Sequence, residues 1–122
     1  MLDLNTVMIG SEDPKGLVDF YKKILGDPGW DDGGFVGWMA GSAWLMIGPH
    51  SEVKGQSDAP GRIMINFETP DVKGEFDRLK ALGATVQQEP YQPGPAGGEM
   101  WLATLADPDG NYFQLASTMP AQ

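Results

Sequence analysis

The 122-residue sequence contains no cysteine and a single histidine, His50. Without cysteine the chain has no disulfide framework, no thiolate metal site and no cysteine nucleophile. One histidine limits any metal site to a single imidazole among oxygen ligands. Basic residues are also scarce, with 8 Lys and Arg against 17 Asp and Glu and a net charge of −9. A chain this acidic offers little to a phosphate backbone, so we predict no nucleic-acid partner.

Long apolar segments are missing as well. No run of apolar residues approaches the ~20 that a membrane-spanning helix needs, so we predict no membrane partner. The first five residues, Met-Leu-Asp-Leu-Asn, carry neither the basic segment nor the apolar segment of a secretory signal. We therefore expect a cytoplasmic protein. The remaining composition, with 41% hydrophobic and 20% charged residues, is typical of one folded domain.

Two stretches of the chain repeat the same order of local signals. Residues 4–26 begin strand-like and continue as a helix, and residues 62–83 do the same. Asp13 and Asp71 precede the helices and are favourable N-caps, because a carboxylate accepts hydrogen bonds from the first helical amides. The apolar spacing gives each helix one buried face. Further strand candidates are residues 35–40 and 42–47 in the first unit and residues 85–89, 99–105 and 112–116 in the second.

We therefore predict an α+β fold of two β-α-β-β-β modules, residues 1–47 and 62–118, joined by a linker loop at residues 48–61. The linker is polar and rich in Gly, Pro and Ser, which is typical of a connection. His50 lies in it and is interpreted as a solvated loop residue, with a role as metal ligand or base left open. A second loop of this kind, residues 91–98, either covers a site or is a plain surface connection.

Two runs of sequence carry a resemblance to a known superfamily. Residues 11–26 read Ser-x-Asp-Pro-x-x-Leu-x-x-Phe-Tyr-x-x-x-Leu-Gly, and residues 107–115 read Asp-Pro-Asp-Gly-Asn-x-Phe-x-Leu. With the two modules, they resemble the vicinal oxygen chelate superfamily, which includes glyoxalase I, bleomycin-resistance proteins, fosfomycin-resistance enzymes and extradiol dioxygenases. The resemblance implies that the modules form a curved mixed sheet, a partial barrel, around a cleft. It also implies a homodimer in which both chains often shape the cleft.

The resemblance further implies four metal-ligand positions, on the first and last strands of each module. In this sequence they hold Thr6, Leu45, Met64 and Gln114. Hard divalent ions prefer carboxylate oxygens and softer ions prefer imidazole or thiolate, and these four side chains supply neither. We therefore predict no metal and no other cofactor. The glyoxalase, fosfomycin-transferase and dioxygenase chemistries are not expected here.

Strand alternation extends these positions to a set of candidate ligand-binding residues, because every second side chain shares a face. The predicted cleft lining is polar but mostly neutral and consists of Thr6, Met8, Met64, Asn66, Glu68, Tyr112 and Gln114. Glu68 is the only candidate acid or base among them. The same alternation predicts that the side chain of Ile63 points towards the helix layer.

Four tryptophans complete the candidate set, because indole rings offer flat apolar faces to planar ligands. We predict that Trp30 and Trp38 lie at the rim of the cleft, beside a loop that contains Asp31 and Asp32. Those two carboxylates favour a cationic ligand, in keeping with the net charge of −9. Trp44 and Trp101 are interpreted as core or dimer-interface residues, and Trp101 is also retained as a ligand-binding candidate.

Three functions fit these features. The first is a small-molecule binding protein of the glyoxalase/bleomycin-resistance type, which sequesters an aromatic or cationic compound without the usual divalent metal. The second is an enzyme of the superfamily, a lyase, isomerase or dioxygenase-like protein, acting metal-free or with an atypical metal held by Glu68 or His50. The third is an interaction module with a vestigial cleft. The first is our leading hypothesis, and whether the chain is an enzyme is left open.

Overall fold

The computed structural model describes residues 1–94 and 99–118 of the chain. Contacts divide it into two compact units, Met1–Gly55 and Gln56–Gln122, with the boundary inside the predicted linker. In chain order the elements are β1 Thr6–Ser11, α1 Pro14–Leu25, β2 Trp30–Asp32, β3 Phe35–Ala40, β4 Ala43–Pro49, β5 Ile65–Glu68, α2 Val72–Ala81, β6 Thr85–Tyr91, β7 Leu102–Ala106 and β8 Tyr112–Ala116. The predicted α+β class with two β-α-β-β-β modules is confirmed.

Both helices begin at the predicted caps. The Asp13 carboxylate accepts from the backbone N–H of Gly16 at 3.3 Å, and the Asp71 carboxylate accepts from the N–H of Gly74 at 3.0 Å. These bonds satisfy amides that have no partner inside the helix. Among the residues that the structure describes, neither α1 nor α2 is long and apolar enough to cross a membrane.

The two units share one topology. The first sheet has the order β1-β4-β3-β2 and the second has the order β5-β8-β7-β6. In each unit the first strand pairs in parallel with the last strand, and the remaining pairs are antiparallel. The repeated signals in the sequence therefore correspond to two modules of the same build.

One strand, β2, lies outside every strand that the sequence predicts. Asp31 and Asp32 were expected in a loop, but both pair with β3 as part of β2. A two-residue turn closes this hairpin at Gly33 and Gly34, whose φ angles of 63° and 85° suit glycine. At the other predicted loop, Tyr91 belongs to β6, and residues 95–98 lie outside the described residues.

Each helix packs on one face of its own sheet. In the first unit the ring of Tyr21 on α1 lies 6.3 Å from that of Trp38 on β3, and Leu45 and Ile47 on β4 are buried with them. In the second unit the rings of Phe67 and Phe113 meet edge to face at 5.9 Å. Burying each such side chain contributes about 1.5–3 kcal/mol, so these layers hold the strands that carry the candidate site.

Candidate functional site

The face of the first sheet opposite α1 is apolar and accessible. Strand pairing aligns four residues in one row across it, because Met8 pairs with Met46, Met46 with Gly37 and Gly37 with Trp30. Met8 and Trp30 are each 51% exposed, although both are large and apolar. We call this surface the open face of the first sheet.

A second row lies beside the first and completes a pocket. Thr6 pairs with Trp44, and Trp44 pairs with Met39 on β3. Side chains from both rows line a shallow pocket of about 490 Å³ that is largely open to solvent, and the lining residues are Thr6, Met8, Trp30, Trp44 and Met46. Two of the five side chains are indoles, two are thioethers and none is charged.

Two glycines give this pocket its floor. A side chain at Gly37 would collide with the sulfur of Met46, so the thioether lies over the bare backbone of β3. A methyl group at Gly29 would come within 3.2 Å of the Trp44 ring, which therefore extends across the sheet towards β2. The rings and thioethers line a shape that suits a flat apolar ligand.

The four tryptophans divide differently from the prediction. Trp30 lines the pocket as expected, and Trp44, which was interpreted as a core or interface residue, lines it too. The prediction for Trp38 is wrong, since this residue is 3% exposed and its indole N–H donates to the carbonyl oxygen of Gly26 at 2.8 Å. Strand alternation is the reason, because Trp38 pairs with the buried Leu45 and not with Trp44.

Trp101 also lies away from the open faces. The ammonium of Lys73 on α2 lies 3.9 Å above the centre of its ring, which places Trp101 on the helix side of the second sheet. Its backbone N–H donates to the Ser117 hydroxyl at 2.8 Å. The contact with Lys73 gives Trp101 a structural role, and its role as a ligand-binding residue stays a prediction.

Carboxylates lie at the edge of the pocket. Asp32 is two residues from Trp30 on β2, so it shares the open face, while Asp31 points to the opposite side. Both are exposed. Trp30 and Asp32 are about 7 Å apart along β2, so the Asp32 carboxylate lies beside the pocket without lining it.

The second unit presents a polar surface at the remaining predicted positions. Asn66 pairs with Gln114 across β5 and β8, and the Gln114 amide nitrogen donates to the Thr104 hydroxyl at 3.0 Å. Glu68, on the same face of β5 as Asn66, is exposed. Tyr112 is partly buried two residues before Gln114. This surface therefore carries hydrogen-bonding amides, in contrast to the apolar pocket of the first unit.

Residues just before β5 lie outside the sheet. Met64 is 38% exposed and Ile63 is 79% exposed. The prediction that Ile63 points into the helix layer is wrong, because the strand begins only at Ile65.

The predicted metal-ligand positions contain no suitable donor set. The assignment of Leu45 to the ligand position on the last strand of the first module is wrong, because Leu45 is 3% exposed on the helix side and Trp44 is the residue that pairs with Thr6. In the second unit Met64 offers a thioether, and the Gln114 amide nitrogen is engaged with Thr104. Across the described residues there is no group of three or more His, Asp or Glu side chains that could hold a metal. These residues do not fit the divalent ion of the superfamily.

Comparison with known proteins places the chain among relatives of the same fold. A glyoxalase-related enzyme from Fulvimarina pelagi superposes with a TM-score of 0.77 at 19% identity, covering 97% of this chain and 89% of that one. A glyoxalase/bleomycin resistance protein/dioxygenase family enzyme from Burkholderia phytofirmans PsJN gives 0.76 at 22% identity, covering 97% and 100%. TioX from Micromonospora sp. ML1 gives 0.70 at 20% identity, covering 96% and 99%. At these identities the similarity shows the fold.

Sequence comparison adds the family. A search of curated proteins finds no significant match. The family model of the glyoxalase-like domain, however, matches residues 6–116, nearly the whole chain. The chain therefore belongs to the glyoxalase-like domain family, within the vicinal oxygen chelate superfamily.

Proposed function

We propose that the protein is a small-molecule binding protein that sequesters a planar aromatic compound in the pocket of its first unit. The observation that carries this proposal is the pocket itself, with Trp30 and Trp44 among its lining residues and a volume of about 490 Å³. Sites for small molecules commonly enclose roughly 300–1,000 Å³ and are lined mainly by apolar and aromatic groups. The size and the lining both agree with such a role.

The energetics favour a flat ligand. An aromatic ring stacked on an indole gains about 0.5–1.5 kcal/mol beyond the apolar area that it buries. Contacts between a thioether and an aromatic ring add about 0.3–1.5 kcal/mol each, and Met8 and Met46 both line the pocket. A ligand that contacts both indoles and both sulfurs therefore gains about 2–6 kcal/mol from these contacts, in addition to the apolar area that it buries, without a charged partner.

The lining also supports sequestration over turnover. Among the described residues that line the pocket, Thr6 is the only one with a hydroxyl, and none carries an imidazole or carboxylate to activate it. An enzyme of the superfamily that uses Glu68 or His50 stays the alternative, and both residues are exposed. The homodimer and the cytoplasmic location likewise stay predictions. Analytical ultracentrifugation tests the dimer.

A ligand panel tests the binding proposal. Tryptophan fluorescence is followed during titration with the planar cation 9-aminoacridine, with proflavine and with neutral phenanthrene. We expect at least one to quench with micromolar affinity, because Trp30 and Trp44 line the pocket. If none of these flat compounds binds, the proposal loses its support.

The metal-free state is a separate prediction. After incubation with Mg²⁺, Mn²⁺, Ni²⁺ or Zn²⁺ and removal of free ions, native mass spectrometry should show no stoichiometric divalent ion. The expected reason is the donor set, in which Thr6, Met64 and Gln114 offer no carboxylate or imidazole. One tightly bound ion per chain would contradict this prediction and favour the enzyme alternative.

Charge selectivity is predicted from Asp32. Asp32→Asn should weaken 9-aminoacridine binding about threefold at low salt, since the removed carboxylate shares the open face with Trp30. The effect should fade as salt is raised. Asp31→Asn is the matched control, because Asp31 points to the opposite side of β2, and its effect should be smaller. Equal losses in both variants, or an equal loss for neutral phenanthrene, would contradict a local role of Asp32.

A further inference from the structure

The turn after β4 folds back over the end of β1. A methyl group at Gly10 would lie 2.9 Å from Cβ of His50 and 3.4 Å from a methyl of Val53. The turn is closed by the Val53 N–H, which donates to the His50 carbonyl at 3.1 Å. Further on, the Gly55 N–H donates to the Glu12 carboxylate at 3.0 Å. These contacts hold the His50 side chain against β1.

This contact places His50 on the open face of the first sheet. Gly10 is two residues from Met8 on β1, so a side chain at Gly10 would point to the same face. The first side-chain atoms of His50, Cβ and Cγ, lie beside that position instead. Two residues along a strand correspond to about 7 Å, so the His50 side chain begins about that far along β1 from the pocket-lining Met8. From the sequence, His50 was interpreted as a solvated linker residue, with a role as metal ligand or base left open.

The ring also has a defined orientation. Its Nδ1 accepts a hydrogen bond from the backbone N–H of Glu52 at 3.1 Å. In the neutral ring the proton is therefore on Nε2, which acts as a donor. Within residues 1–94 and 99–118 no group accepts a hydrogen bond from Nε2. The exposed His50 thus carries an N–H that none of the described residues engages.

An aromatic ring extends the apolar surface of the pocket along the strands towards His50. The Phe35 ring lies over Gly48, where any side chain would collide with it. Gly48 pairs with Gly10, so this ring is the neighbour of His50 across the sheet. For a ligand that contacts Met8 and Met46, the Phe35 ring and the His50 side chain lie in the same direction along the strands.

We propose that His50 is a ligand-binding residue whose Nε2–H donates to an oxygen acceptor on the bound compound. This inference rests on the proposed function and narrows its ligand class to planar aromatic compounds that carry a carbonyl or carboxylate oxygen. The acceptor lies at one edge of the ring system, on the side of the pocket where the His50 side chain covers Gly10.

A matched pair of neutral probes tests the proposal without any charge effect. 2-Acetylnaphthalene carries a carbonyl oxygen, and 2-ethylnaphthalene has the same ring and nearly the same size without it. We expect the wild-type protein to bind the ketone about tenfold more tightly in calorimetric titrations, because only the ketone offers an acceptor to the His50 N–H. Equal affinities for both probes would overturn the proposal.

Two variants distinguish the role of Nε2–H as a donor to the ligand from the role of Nδ1 in the turn. In His50→Asn the side-chain oxygen replaces Nδ1 as acceptor for Glu52, but nothing stands at the Nε2 position. His50→Gln reaches that position with an amide N–H. We expect the preference for the ketone to vanish in His50→Asn and to persist in His50→Gln. Ser51→Ala, in the same turn, should retain it.

The outcomes distinguish this proposal from the one on which it rests. If both probes bind equally well to all variants, the pocket binds aromatic rings and the role of His50 is wrong. If neither probe nor any member of the planar panel binds, the proposed function itself is wrong. Retention of the ketone preference in His50→Asn would also overturn the role of Nε2.

Discussion

Replacing Trp44 with alanine is expected to weaken the binding of 9-aminoacridine about a hundredfold, as for an aromatic residue at the centre of an interface. Trp44 pairs with Thr6 on one side and Met39 on the other, so its indole lies in the middle of the open face. The ring is only partly buried in the protein, and its removal therefore takes more from the ligand than from the fold. Fluorescence of the acridine, which does not depend on the protein's own indoles, measures the change.

Trp101→Ala is the matched control for that loss. It removes the same ring from the helix side of the second sheet, where Trp101 contacts Lys73. The affinity for 9-aminoacridine should stay within about twofold of wild type, because this ring is outside the pocket. A large loss in Trp101→Ala with little change in Trp44→Ala would place the binding site in the second unit.

The second large effect concerns the free energy of unfolding, which should differ between substitutions of two neighbouring residues of β4. Leu45→Ala is expected to lower the free energy of unfolding by about 3 kcal/mol, because it removes a side chain that is 3% exposed in the core. Met46→Leu, on the other face, should change stability by less than about 1.5 kcal/mol. Urea denaturation followed by far-UV circular dichroism measures both, with equal slopes as the check on two-state behaviour.

Ligand binding gives the opposite ranking for these two residues. The folded fraction of Leu45→Ala should bind 9-aminoacridine as wild type does, since Leu45 faces the helix layer. Met46→Leu should bind it more weakly because a thioether in the lining is lost. A stability loss confined to Met46, or a binding loss confined to Leu45, would show that the faces of β4 are reversed.

The helices could be predicted from the sequence because their signals are local. Asp13 and Asp71 stand immediately before their helices, and each carboxylate binds an amide three residues later. Strand β2 gives no comparable signal. Its three residues are all exposed, and pairing with β3 across the Gly33–Gly34 turn defines it. No apolar alternation in the sequence marks such an edge strand.

The candidate site was predicted only in part, for two physical reasons. Thr6, Met8 and Trp30 were expected in the lining, and they line the pocket. The run Trp44-Leu45-Met46-Ile47 is apolar on both faces, so alternation could not show which residues belong to the core. His50 and Gly10 meet across forty residues of sequence, and no local pattern indicates a contact of that kind.

All elements of the proposed binding face lie in the first unit. The pocket begins at Thr6, and the imidazole beside it belongs to His50, so one uninterrupted stretch supplies every contact that we assign to the ligand. A single crossover after this stretch would transfer the whole specificity to a relative and leave the second module untouched. Chimaeras joined within residues 51–61 should therefore inherit the ligand preference of the parent that contributes their first half.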